Sequence, residues 1–251
     1  MKAAVVGSLL VNCMNISPAS AQVGVSPLFL EAEANRGRSQ GVITLTNSAD
    51  RPVRVRMYAE PFTYSRDGFS HLLEDAQDLS PYLQMSPREA VIEPGSSQRI
   101  RLLGLFPPSL PDNEYRAVVF AEKLVDSTTE ETEISIDARI GTTVYMRQGE
   151  LSADLLGQEA SLRGRFLDLV VANKGQATAR SRLTWKLLQE EAEVASGEHD
   201  LKTVLAEGDR RFSLALPDTL TAGNYTLTGE LAWTTLSKAH SQTFDLPVIV
   251  P

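Results

Sequence analysis

From Ile134 to Arg147 apolar and polar positions alternate: Ile134, Ile136, Ala138, Ile140, Val144 and Met146 share one parity, interrupted only by Thr142, and Ser135, Asp137, Arg139, Gly141, Thr143, Tyr145 and Arg147 take the other. Successive side chains of a strand point to opposite faces, so this pattern predicts one long strand with an apolar face and a largely wet one. An acidic loop, Asp126 to Glu133, leads into it.

The same period of two recurs along the chain. Val42 to Thr46 precedes the turn-forming run Asn47 to Pro52, and Val53, Val55, Met57 and Ala59 then alternate with Arg54, Arg56 and Tyr58. Arg66-Asp67-Gly68 and Glu93-Pro94-Gly95 read as turns, with Ile100 and Leu102 alternating with Arg99 and Arg101 after the second. Prolines at 107, 108 and 111 interrupt regular structure before a strand resumes from Tyr115 to Glu122, and one short helical turn is expected within Glu74 to Tyr82. A second series follows: Phe166 to Ala172, the Asn173-Lys174-Gly175 turn, then Leu183, Trp185 and Leu187, then Phe212, Leu214 and Leu216. Tyr225, Leu227, Leu231 and Trp233, and finally Phe244, Leu246, Val248 and Val250, complete it. Short strands separated by Gly, Pro and Asn predict an all-β chain of two immunoglobulin-like β-sandwich domains in tandem. The boundary is placed at the end of the long strand, giving domains over 22–148 and 149–251.

Lys2, the apolar run Ala3 to Met14 and the small residues Ala19-Ser20-Ala21 read as a secretory signal peptide over residues 1–21, cleaved before Gln22. The run is too short to span a bilayer, and no later apolar stretch reaches the length a membrane helix requires. The chain is therefore expected to be exported. Cys13, the single cysteine, falls inside the signal, so disulfides do not enter the stability of the processed chain. The balance of 24 basic against 32 acidic side chains argues against a nucleic-acid partner.

Five segments in order carry a family resemblance: Val25-Ser26-Pro27, Ile43-Thr44-Leu45-Thr46-Asn47, Ile92-Glu93-Pro94-Gly95 leading into Arg99-Ile100-Arg101-Leu102, Leu110 to Arg116, and Val144-Tyr145-Met146-Arg147. Over 25–147 the chain resembles the N-terminal domain of the PapD-like periplasmic chaperones that assemble pili. The second half resembles immunoglobulin-like domains in general. The resemblance implies a chaperone that lends its long last strand to an exported β-rich subunit with an incomplete sheet, before hand-over towards an outer-membrane usher. By that reading Ile134, Ile136, Ala138, Ile140 and Val144 form the client-binding strand, and Glu114 and Arg147 form an ionic pair between the domains. The family anchors the subunit's terminal carboxylate on an arginine and a lysine. Ungapped placement puts Glu31 and Thr143 at those positions, so the basic residues are absent and Glu31 is expected to repel a carboxylate; Arg36, Arg38 and Arg139 are the nearby cations.

An enzyme is not expected. His71, His199 and His240 are scattered without metal-ligand spacing, and Glu198-His199-Asp200 puts its histidine on the face opposite its carboxylates, reading as a solvated turn. No nucleophile elbow, phosphate loop or dinucleotide fingerprint occurs, so no catalytic residue, metal or cofactor is assigned. Arg54 and Arg56 beside Tyr58 read as a polar outer strand face, and Trp185 as core. The alternative to a chaperone is a non-cycling structural or adhesive two-sandwich module of the cell surface, in which strand 134–146 is ordinary core.

Overall fold

The computed structural model describes residues 23–124, 139–217, 220–235 and 238–251. The predicted signal peptide, and with it Cys13, lies outside them, as do Ile134, Ile136 and Ala138. The chain forms two β-sandwiches in succession. The first is built from β1 (Val23–Ser26), β2 (Phe29–Glu33), β3 (Arg38–Asn47), β4 (Val53–Glu60), β5 (Phe62–Ser65), β6 (Gly68–His71), β7 (Leu83–Ser86), β8 (Glu89–Ile92), β9 (Ser97–Leu105), β10 (Asn113–Lys123) and β11 (Arg139–Gln148). One sheet runs in the order β1-β3-β9-β7, the facing sheet β2-β11-β10-β4-β8, and β5 and β6 make a separate hairpin. The second sandwich contains β12 (Leu155–Arg163), β13 (Phe166–Asn173), β14 (Ser181–Gln189), β15 (Ala192–Asp200), β16 (Asp209–Ala215), β17 (Gly223–Thr235) and β18 (Lys238–Val250). Its sheets run β12-β13-β16 and β15-β14-β17-β18. The expected helical turn is a short 3-10 turn at Ser80–Tyr82. Among the described residues no helix is long and apolar enough to cross a membrane.

Alternation in the sequence becomes burial in the structure. Ile43 and Leu45, Val53, Val55 and Met57, and Ile100 and Leu102 line the first core, with Val144 and Met146 reaching it from β11. Leu183, Trp185 and Leu187, Leu227 and Leu231, and Phe244 and Val248 line the second. Both sandwiches use the same two polar pins. Asn47, fully buried at the end of β3, donates to the carbonyls of Arg51 and Ile92 and accepts from the Ala49 N–H. Asn173, at the end of β13, repeats this with the carbonyls of Ala177 and Val204 and the N–H of Gly175. A side-chain amide can replace the backbone partners that a tight turn leaves unmade. The Tyr115 hydroxyl donates to the carbonyl of Pro111 and that of Tyr225 to the carbonyl of Thr221, each four residues upstream, fixing the entry of a central strand.

Two expectations need correction. The odd-numbered face of β11 is not largely wet: Tyr145 is fully buried and Arg147 nearly so, and only Arg139 on that face is exposed. The cause is tertiary. Phe62 from β5, Val118 and Phe120 from β10, and Leu205 from the second sandwich close over Tyr145, a contact no local periodicity encodes. The Glu198-His199-Asp200 triplet is also no turn; it ends β15, an edge strand, with all three side chains exposed.

Candidate functional site

The candidate site is a strand edge that, among the described residues, is paired on one flank only, together with the charged groups beside it. From Thr143 to Arg147, β11 is flanked on both sides, antiparallel by β10 and parallel by β2, in the register Thr143↔Phe29 to Arg147↔Glu33. From Arg139 to Thr142 it pairs, among the described residues, only with β10, in the register Glu122↔Arg139 to Val119↔Thr142. The change occurs where the first strand crosses between sheets: β1 pairs with β3, and after Pro27 the chain resumes as β2 beside β11. Thr142 Oγ1 donates to the Pro27 carbonyl at 2.9 Å and the Thr143 N–H donates to the Leu28 carbonyl at 3.1 Å, closing the edge there. Backbone groups along a strand alternate between flanks. Since Thr143 N–H and the Arg147 carbonyl face β2, the backbone of Gly141 and Arg139 faces the open flank.

Side chains divide along the same line. Ile140 is half-buried and Thr142 fully buried, on the core-facing parity. Val144 has no exposed surface and lies in the protein's own core with both flanks of its strand paired, which corrects its assignment to the client-binding set. Thr143 is half-buried beside Phe29. Leu28 and Phe29, 66% and 48% exposed, stand next to the open flank.

Behind this edge, charged groups meet between the sandwiches. Arg147 Nε donates to Glu114 Oε2 at 2.8 Å, and both side chains are buried. The second sandwich joins the pair through Thr178, whose N–H and hydroxyl donate to the Glu114 carboxylate while its carbonyl accepts from Arg147 Nη2 at 2.9 Å. Burial acts to lower the pKa of Arg147, but the adjoining Glu114 and Glu31 carboxylates together more than offset it, so the pKa lies above its ordinary value and the guanidinium stays charged. Burial pushes the Tyr145 phenol well above its usual range. Glu31, expected from sequence to repel a carboxylate, already has its charge matched: it accepts from Arg147 Nη2 at 3.3 Å and from Arg180 Nη1. Arg180, from the second sandwich, also lies 3.7 Å above the Phe29 ring and 5.4 Å from that of Tyr145, and its Nη2 is buried without a partner among the described residues.

Sequence reasoning found Glu114, Arg147 and Glu31 but missed Thr178 and Arg180. Both lie between β13 and β14 outside any alternating segment, and nothing local marks them. Of the cations weighed from sequence, Arg36 and Arg38 sit at the β2–β3 turn and Arg139 at the start of β11, away from Glu31. Among the described residues no group of His, Cys, Asp and Glu side chains converges as a metal site would require. Arg54 and Arg56 pair with Glu89 and Glu122 on the outer sheet face.

No family model and no curated protein sequence matches this chain. Solved structures do. The structure of the class 5 fimbriae chaperone CfaA is 13% identical with a TM-score of 0.55, covering 91% of this chain and 99% of that one. The CsuC-CsuE chaperone–tip subunit pre-assembly complex from archaic chaperone-usher Csu pili of Acinetobacter baumannii gives 16% identity and a TM-score of 0.52, with 92% and 100% covered. The YadV chaperone gives 14% and 0.52, with 90% and 100% covered. What these likenesses have in common is architecture: the chain has the two-sandwich fold of the PapD-like fimbrial chaperones.

Proposed function

We propose that this protein is a periplasmic assembly chaperone, without enzymatic activity, that holds exported β-rich surface subunits by strand addition along the segment 134–142. The observation that carries this reading is the half-open β11: residues 139–142 are fixed by β10 on one flank and unpaired among the described residues on the other. An unpaired edge is a liability that folded proteins normally cover, so its retention beside two exposed apolar side chains, Leu28 and Phe29, favours a partner strand. Ile134, Ile136 and Ala138, on the parity of Ile140, supply the apolar side chains that enter the client. Each isoleucine buried there contributes roughly 1.5 to 3 kcal/mol before association costs are subtracted.

Recognition here relies on backbone pairing and apolar burial more than on a charged anchor, because Glu31 occupies the two nearest guanidinium groups. Arg180 Nη2, although without a partner among the described residues, is buried and offers a client terminus no open donor. The similar CsuC-CsuE structure captures a chaperone with a tip subunit from chaperone-usher pili; by analogy the client is a pilus-type subunit and the next partner an outer-membrane usher. The full enclosure of Val144 and Met146 is what a non-cycling structural module would also show, but such a module has no need of the open flank.

The test is a double substitution, Ile136→Asp with Ile140→Asp, in cells that co-express an exported pilin-type subunit. Subunit recovered from the periplasm falls to the level seen without the protein. Undiminished recovery with a correctly folded variant would refute strand donation.

A further inference from the structure

Arg139 is the first described residue of β11, and its side chain is held from four directions. Nη1 donates to the Tyr58 hydroxyl at 3.0 Å and lies 3.7 Å from Glu60 Oε1, both on β4. Nη2 lies 3.3 Å from Nε2 of His71, at the end of β6. A guanidinium only donates, so this imidazole nitrogen accepts; the other, Nδ1, lies 3.2 Å from Glu60 Oε2 and donates to it. The guanidinium carbon stands 4.3 Å above the Phe120 ring of β10, and the His71 ring stacks on the same phenyl group. Gly141 makes this arrangement possible: a Cβ there would come within 2.7 Å of Val118 Cγ2 and 3.0 Å of the Phe120 ring. One side chain thus ties the start of β11 to β4, β6 and β10, beside the stretch that has a single paired flank.

We propose that Arg139 is the positioning residue of the open edge, holding residues 139–142 flat on β10 so that the outward backbone of Arg139 and Gly141 lies in the sheet plane for an incoming strand. The inference rests on the strand-addition reading above. Strands bonded on one flank open locally at low cost, and ordering them only on binding would be charged against affinity. The planar guanidinium suits the role, because it stacks and donates in several directions at once, which an ammonium cannot do.

Amide hydrogen exchange on the complete free protein tests this without a client. The amides of Ile140 and Thr142 face β10 and report the clamp; that of Gly141 faces the open flank and reports the edge. Arg139→Ala accelerates exchange at Ile140 and Thr142 by about tenfold or more while leaving Met146 unchanged, as expected for a local opening. Arg139→Lys restores part of the protection, and Arg54→Ala, on the same sheet face but paired with Glu89 on β8, changes nothing. Unaltered exchange at Ile140 and Thr142 in Arg139→Ala, or equal acceleration throughout β11, overturns the positioning role. Slow exchange of Gly141 in the unmodified protein would instead remove the open edge itself, and with it the proposed function, whatever Arg139 does.

Discussion

Glu114 shows how one side chain can join two sandwiches. Its carboxylate meets Arg147 from β11 and the N–H and hydroxyl of Thr178 in a region closed to water. A buried charge that loses its partner is costly, so Glu114→Ala lowers stability by about 3 kcal/mol or more, read from the midpoint of urea unfolding. A loss below about 1 kcal/mol would mean that Glu31 alone satisfies Arg147. The Glu114–Arg147 pairing was legible before the structure because both residues lie in segments that carry the family resemblance. Arg180 and Thr178 were not: their roles depend on how the second sandwich meets the first, and Glu31 looked repulsive only while its neighbours were unknown.

At the scale of elements, the β5–β6 hairpin is the second tie between the sandwiches. Its turn is the Arg66-Asp67-Gly68 signal seen in the sequence, but nothing there announced that it docks on β16. The Arg211 N–H donates to the Arg66 carbonyl at 2.9 Å, Arg211 pairs with Asp67 at 2.6 Å, Arg66 pairs with Asp209, and Arg210 lies 4.3 Å from the Tyr64 ring centre. The hydrogen bond from Arg66 holds the Asp209 carboxyl below the ordinary aspartate range. A carboxyl that ionises more readily in the folded state stabilises that state fully above its unfolded pKa of about 4, and the contribution is lost as pH falls through the lower native value. Distance measurements between labels on β6 and β16 should therefore hold steady from neutral pH to about 4 and broaden below it, and Asp209→Asn should broaden them already at neutral pH. A separation equally sharp in the variant and in acid would show that this ion pair does not hold the hairpin. The elements missed from sequence, β7, β8, β12 and β15, are edge strands; β15 has no fully buried side chain, so apolar alternation had little to register.

For the whole molecule, two tandem β-sandwiches were readable because each core draws on strands that alternate cleanly, as β4, β9, β14 and β17 do. What could not be read was which part of the last strand of the first sandwich is free. The sequence offered a uniform ribbon over 134–146, whereas β2 joins the sheet at Thr143 and, among the described residues, divides β11 into a part from Thr143 to Arg147 flanked on both sides and a part from Arg139 to Thr142 paired on one. The proposed function rests on that division. The most direct measurement is the exchange rate of the Gly141 amide in the free protein and in its complex with an exported pilin-type subunit. Strand addition predicts rapid exchange in the free protein and strong protection in the complex, with Tyr145 protected in both. A Gly141 amide already protected in the free protein, or still exchanging freely in a stable complex, would contradict it.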